Sequence, residues 1–198
     1  MIDMPEDFYS EYSGLPFDTC IDCGASLLEG DVPYVILKNV VARETVFEMA
    51  ICLTCVGQLQ REYSEESRQA IEAWLDARIQ SIAQPITEPD NSETSTLWED
   101  VVAKPPMDID RCRFCGTPRG DSHRYCMEAV CIGRQMVQVS DPSRTLSFPL
   151  LVCETCTGDV SEVISKKTRD QWNRFVEDHF DGPPGIELDP VDSDLMFI

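Results

Sequence analysis

Eight of the ten cysteines fall in four C-x2-C pairs: Cys20/Cys23, Cys52/Cys55, Cys112/Cys115 and Cys153/Cys156. No other feature of the sequence constrains the fold as tightly. Two sulfurs at this spacing sit on either side of a tight turn and grip one metal ion from one side. Two such knuckles supply the four sulfurs of a tetrahedral site. The pairs are separated by 28 residues in the first half and by 37 in the second. Each half therefore closes a loop of β-hairpin length around its own sulfur quartet.

The halves also resemble one another. The first knuckles read CIDCG and CRFCG, and the second read CLTCVG and CETCTG. Aligning Cys55 with Cys156 without gaps superposes Arg43 on Arg144, Phe47 on Phe148, Gly57 on Gly158, Ser64 on Ser165 and Arg68 on Arg169. Upstream, Gly30-Asp31 with Tyr34 matches Gly120-Asp121 with Tyr125. The pattern is that of an internal duplication.

Within each repeat the elements follow one order. Gly24 and Gly116 supply the left-handed backbone a knuckle wants. The β-branched, aromatic-rich runs Val32–Val41 and Thr45–Ile51 predict a hairpin. In the second half the same criteria favour Arg134–Val139 and Leu146–Val152, with Ser140-Asp141-Pro142-Ser143 as the turn. The second knuckle leads into helix. Ser64 ahead of Glu65 and Glu66, and Ser165 in the matching place, predict N-caps. Ile71, Trp74, Leu75, Ile79 and Ile82 form one apolar stripe, and Trp172, Phe175, Val176 and Phe180 form the other, both read as core.

The order of knuckle, hairpin, knuckle and helix resembles the treble-clef and zinc-ribbon group of metal folds. The likeness covers residues 20–82 and 112–180. It implies an α+β fold of two tandem zinc-stabilised, treble-clef-like repeats, with Cys20, Cys23, Cys52 and Cys55 holding one structural zinc ion and Cys112, Cys115, Cys153 and Cys156 the other. Repeats of this size are marginal on their cores alone, and metal would supply what is missing. Iron in a rubredoxin-like site is the lesser choice, because repeat one lacks the usual proline of the second rubredoxin knuckle and Gly57 falls one residue late. A disulfide scaffold suits an oxidising compartment, and tandem C-x2-C pairs are not a thioredoxin-like βαβ context. Cys126, Cys131 and His123 stand outside the quartets; a second metal site, a reversible disulfide and simple burial remain open for them, with buried thiols as the default.

The formal net charge of −20 is unevenly distributed. Residues 1–18 and 181–198 hold five acids each and no base, and 84–110 hold seven acids and one base. These read as an acidic N-terminal tail, an acidic C-terminal tail and an acidic Pro-rich linker. They flank zinc-binding repeat 1 (19–83) and repeat 2 (111–180). Such segments favour solubility. A DNA mimic would need its carboxylates fixed on a folded face. No run of 18 apolar residues exists, so no spanning helix is predicted. Met1 to Pro16 carry four acids and no base, unlike a secretory or transit peptide, and a cytoplasmic location is expected.

No Walker loop, GxSxG, HExxH or dinucleotide glycine pattern is present, and four-thiolate sites leave no open position for metal-bound water. The expectation is a non-enzymatic protein-interaction module with a protein partner, a basic one suiting its charge. A nucleic-acid or phosphate contact through the arginines of repeat two (Arg111, Arg113, Arg119, Arg124) is the alternative, disfavoured because nine acids offset its ten bases. An immunity-type acidic inhibitor is a third, resting on acidity alone. No membrane partner is expected.

Overall fold

A computed structural model describes residues 1–82, 109–138 and 148–180. The linker, the C-terminal tail and the turn expected at 140–143 lie outside the described residues. The strands are β1 (Ile2–Asp3), β2 (Pro33–Val41), β3 (Glu44–Cys52), β4 (Arg124–Ile132), β5 (Gln135–Met136) and β6 (Leu150–Cys153). The helices are α1 (Leu53–Glu62), α2 (Glu65–Ile82), α3 (Glu154–Val163) and α4 (Lys166–His179). The result is a mixed α and β fold on one antiparallel sheet, ordered β1-β5-β4-β2-β3, with β6 also on β4. Among the described residues no helix is long and apolar enough to cross a membrane.

The first hairpin forms where the apolar pattern puts it. Ala42 and Arg43, both at positive φ (51° and 72°), make the two-residue turn between β2 and β3. Asn39 faces Phe47 and Val40 faces Thr45, which leaves Val46 as the extra residue of a bulge.

In the second half the expected segments 134–139 and 146–152 hold only the short strands β5 and β6, and these do not pair with each other as a hairpin. The central strand is β4, upstream of Arg134, and it pairs first with β5 and then with β6. Gly133 and Arg134 turn the chain where Ala42 and Arg43 turn it in the first half. The return strand is therefore split, and part of the added length of this half lies between β5 and β6. Sequence pattern hid β4 because Cys126, Cys131 and Glu128 interrupt its apolar run. All three are buried there, the cysteines acting as small hydrophobes.

The two halves are joined through β2 and β4. Each has nine residues, and they pair antiparallel with Pro33 opposite Ile132, Leu37 opposite Glu128 and Val41 opposite Arg124. Position one of either strand faces position nine of the other, so the pairing is symmetric about the central Leu37–Glu128 pair. Both strands show the same order of buried and half-buried positions.

Residues 1–18 are packed rather than free. Ile2 pairs with Met136, Met4 N–H donates to the Arg134 carbonyl at 3.1 Å, and Phe8 is fully buried. Two of its acids meet distant bases: Asp7 lies 3.2 Å from Arg119, and Glu11 lies 3.7 Å from the buried Lys38. Composition could not show this, because the compensating cations are far along the chain.

Candidate metal centres

Each centre is built from two local motifs. In the first knuckle of half one, Gly24 at φ +69° closes the turn and its N–H donates to the Cys20 carbonyl at 2.9 Å. Ile21 N–H donates to the Ala50 carbonyl at 2.9 Å, which pins the knuckle to the edge of β3. Half two repeats this with Gly116 at φ +74° donating to Cys112 at 2.9 Å, and Arg113 N–H donating to Leu151 on β6 at 2.7 Å.

The second knuckle straddles the end of a strand and the first turn of a helix. Cys52 ends β3 and is the N-cap of α1, with Cys55 inside the helix. Cys153 ends β6 and N-caps α3, with Cys156 inside. Both quartets thus sit at helix N-termini, where the dipole and unpaired N–H groups favour negative sulfur. Cys52 N–H donates to Cys20 Sγ at 3.3 Å, and Cys153 N–H to Cys112 Sγ at 3.4 Å.

The four sulfurs of Cys20, Cys23, Cys52 and Cys55 lie within 4.8 Å of one another, as do those of Cys112, Cys115, Cys153 and Cys156. Cys23 and Cys52 are 3.9 Å apart, and Cys115 and Cys153 3.5 Å. A tetrahedron with metal–sulfur bonds of about 2.3 Å has sulfur–sulfur edges of about 3.8 Å. Disulfides would need about 2.05 Å, and all ten cysteines are free thiols. The residues therefore fit a metal ion with four thiolate ligands. Three sulfurs of each quartet are buried, while Cys23 and Cys115, in equivalent positions, reach solvent.

Without metal the quartets share protons unequally. The Cys112 thiol is held at about 4, chiefly by a hydrogen bond from Cys156 and further by N–H groups of Cys153, Cys115 and Phe114, against the upward push of its burial. That same contact pushes Cys156 up. Burial pushes Cys20 up, but N–H groups of Cys23, Cys52 and Asp22 overcome it and hold the thiol at about 7. Burial raises Cys55, and raises Cys153 to about 11. A divalent ion would replace the remaining protons.

Cys126, Cys131 and His123 join neither quartet. Cys126 and Cys131 are five positions apart on β4, hence on opposite faces and about 16 Å apart along the strand. That excludes a disulfide or a shared metal between them. Burial pushes the Cys131 thiol up to about 12. Cys126 Sγ–H donates to Glu128 Oε1 at 3.8 Å. The His123 ring is exposed, and its carbonyl accepts from Ala42 N–H at 2.8 Å.

A further set of residues, not read as site residues from sequence, surrounds the quartets. Trp74 on α2 meets Phe114, inside the knuckle of the other half, edge to face at 4.8 Å. Arg78 on α2 pairs with Asp159 on α3. Conversely, His179 Nε2 at the end of α4 lies 3.3 Å from Asp22, inside the knuckle of the first half. Phe180, next in the chain, packs on Phe47 of β3 at 4.4 Å. Arg78 and His179 fall at the same distance in sequence after Cys55 and Cys156. The second helix of each half thus packs against the first knuckle of the other. The repeat offset marks these pairs in sequence, but nothing local says which half a helix will cover.

No family model, curated protein or solved structure matches this chain.

Proposed function

We propose that this chain is a non-enzymatic, zinc-dependent interaction protein formed by duplication of a treble-clef-like unit. Two structural zinc ions would be held by Cys20, Cys23, Cys52 and Cys55 and by Cys112, Cys115, Cys153 and Cys156. The carrying observation is the matched pair of sulfur quartets, each at a helix N-terminus and spaced for a tetrahedral ion. Four thiolates fill the coordination shell, so such an ion would have no site for water or substrate and would contribute folding energy instead.

A protein partner is the reading that charge supports. At −20 the chain repels phosphate backbones and anionic membranes, and attracts basic surfaces. The alternative nucleic-acid surface loses support from geometry. Arg119 is committed to Tyr125 at 2.9 Å and Asp7 at 3.2 Å. Arg111 caps the Gly116 carbonyl at 3.2 Å, and Arg169 reaches the carbonyls of Ser161 and Ile164 at 3.5 and 3.3 Å.

Elemental analysis with an absorption spectrum tests the metal. Two zinc ions per colourless chain are expected, with one lost in Cys20→Ser and one in Cys112→Ser. A red, iron-bearing protein would replace zinc by iron, and a folded chain indifferent to chelators would refute both. Anisotropy with a labelled duplex, expected flat between low and high salt, tests the exclusion of nucleic acid.

A further inference from the structure

The exchanged helices have a thermodynamic consequence for the centres, given the metal occupancy proposed above. Each first knuckle is lined by a helix from the opposite half: His179 of α4 against Asp22 at 3.3 Å, and Trp74 of α2 against Phe114 at 4.8 Å. His179 is oriented by its Nδ1–H donating to the Phe175 carbonyl at 2.8 Å. At their N-termini α2 and α4 are bonded together: Ser64 N–H donates to Thr168 Oγ1 at 3.1 Å, and Ser165 N–H donates to Ser67 Oγ at 2.8 Å. Neither helix can dock without bearing on the other, and β2 and β4 share one ladder.

We infer that the two metal centres load cooperatively, because an ion at either centre fixes the knuckle on which the other half's helix rests. Without its ion a knuckle lacks the bonds that would tie its two sulfurs to the other pair, and fixing those sulfurs in place is part of the cost of binding. Once one quartet is filled, its knuckle holds the partner helix in place. That helix holds the cluster of hydroxyls, and the second helix is thereby set against the second knuckle. The second ion meets a quartet already partly assembled. The effect is reciprocal: each ion raises the other's affinity by the same factor.

The test is zinc titration of the metal-free, reduced full chain, followed by native mass spectrometry. Two independent equal sites would leave about half the molecules with a single ion at half-saturation; a tenfold coupling, ordinary for linked sites, lowers that to about a quarter. The double variant Trp74→Ala/His179→Ala keeps all eight ligands. It should still bind two ions while the one-ion species rises towards half. In Cys20→Ser/Cys23→Ser the remaining centre should bind about tenfold more weakly. A one-ion population at or above half, unchanged in the double variant, overturns the coupling while leaving the centres intact. A chain that takes up no zinc at all overturns the occupancy itself.

Discussion

The hydroxyls of Ser64 and Ser165 lie 2.8 Å apart, at the point where α2 and α4 begin side by side. Each also caps its own helix, accepting from Ser67 N–H at 3.1 Å and from Thr168 N–H at 3.3 Å. The two residues lie at the same distance in sequence after Cys55 and Cys156, and so do Ser67 and Thr168, which are fully buried. Together with the Leu37–Glu128 pair they mark a local two-fold relation between the halves. Ser64→Ala or Ser165→Ala should each cost about 0.5–2 kcal/mol, the range of a lost N-cap. The double variant should cost less than the sum, because the first substitution already breaks the shared contact. Denaturant unfolding of the metal-loaded protein measures all three; strict additivity would show the caps to be independent.

Lys38 is almost wholly buried, with Glu48 opposite it on β3 at 3.5 Å and Glu11 at 3.7 Å. Glu48 in turn accepts from Ser10 Oγ at 2.7 Å and from Glu11 N–H at 3.0 Å, so this pair anchors the N-terminal segment to the sheet. Lys38→Met would strand the Glu48 carboxylate against the sheet and is expected to cost about 3 kcal/mol. Lys38→Met/Glu48→Gln removes both charges and should recover part of that loss. Both variants should expose residues 1–18 to faster protease cleavage. Unchanged stability and cleavage in Lys38→Met would show that the ion pair does not anchor the segment.

Cys126 and Cys131 give a prediction about reactivity. Both thiols are buried, on opposite faces of β4, and burial pushes that of Cys131 up to about 12. At pH 8 almost none of it is thiolate, the form that attacks electrophiles. Alkylation of the folded, metal-loaded chain should therefore leave both unmodified, and oxidation should not join them. Peptide mass mapping reads the outcome directly. Rapid labelling at either position would mean that β4 opens in the native state.

What the sequence made legible follows from the range of each interaction. The quartets were readable because C-x2-C spacing is a local geometric device, and the helix starts because a Ser N-cap acts within one turn. Val32–Val41 and Thr45–Ile51 were readable because β-branched and aromatic residues outnumber the polar Lys38, Asn39 and Glu48 in them. β4 was not, since cysteine and a buried glutamate look polar or reactive out of context. Asp7 and Glu11 read as solvated because Arg119 and Lys38 reach them only after folding. The exchange of α2 and α4 left no local trace: an apolar stripe shows that a helix has a buried face, but not which half it covers.

The glycines of the knuckles and helices separate backbone conformation from packing. Gly24 and Gly116 have positive φ, and a Cβ added at either would meet nothing within 4 Å. Any cost of Gly24→Ala or Gly116→Ala is therefore conformational, about 1–2 kcal/mol for forcing a side chain into the left-handed region. That cost falls on the knuckle that presents two ligands, so it should appear as faster metal loss to a chelator as well as lower stability. Gly158 also has open space around its Cβ position, but it lies within α3 and is not in the left-handed region. Gly158→Ala should instead stabilise the chain by up to about 1 kcal/mol, because alanine is the better helix former and restricts the unfolded chain. Thermal unfolding and chelator kinetics on the three variants give opposite signs if the knuckle turns are as described, and equal signs if they are not.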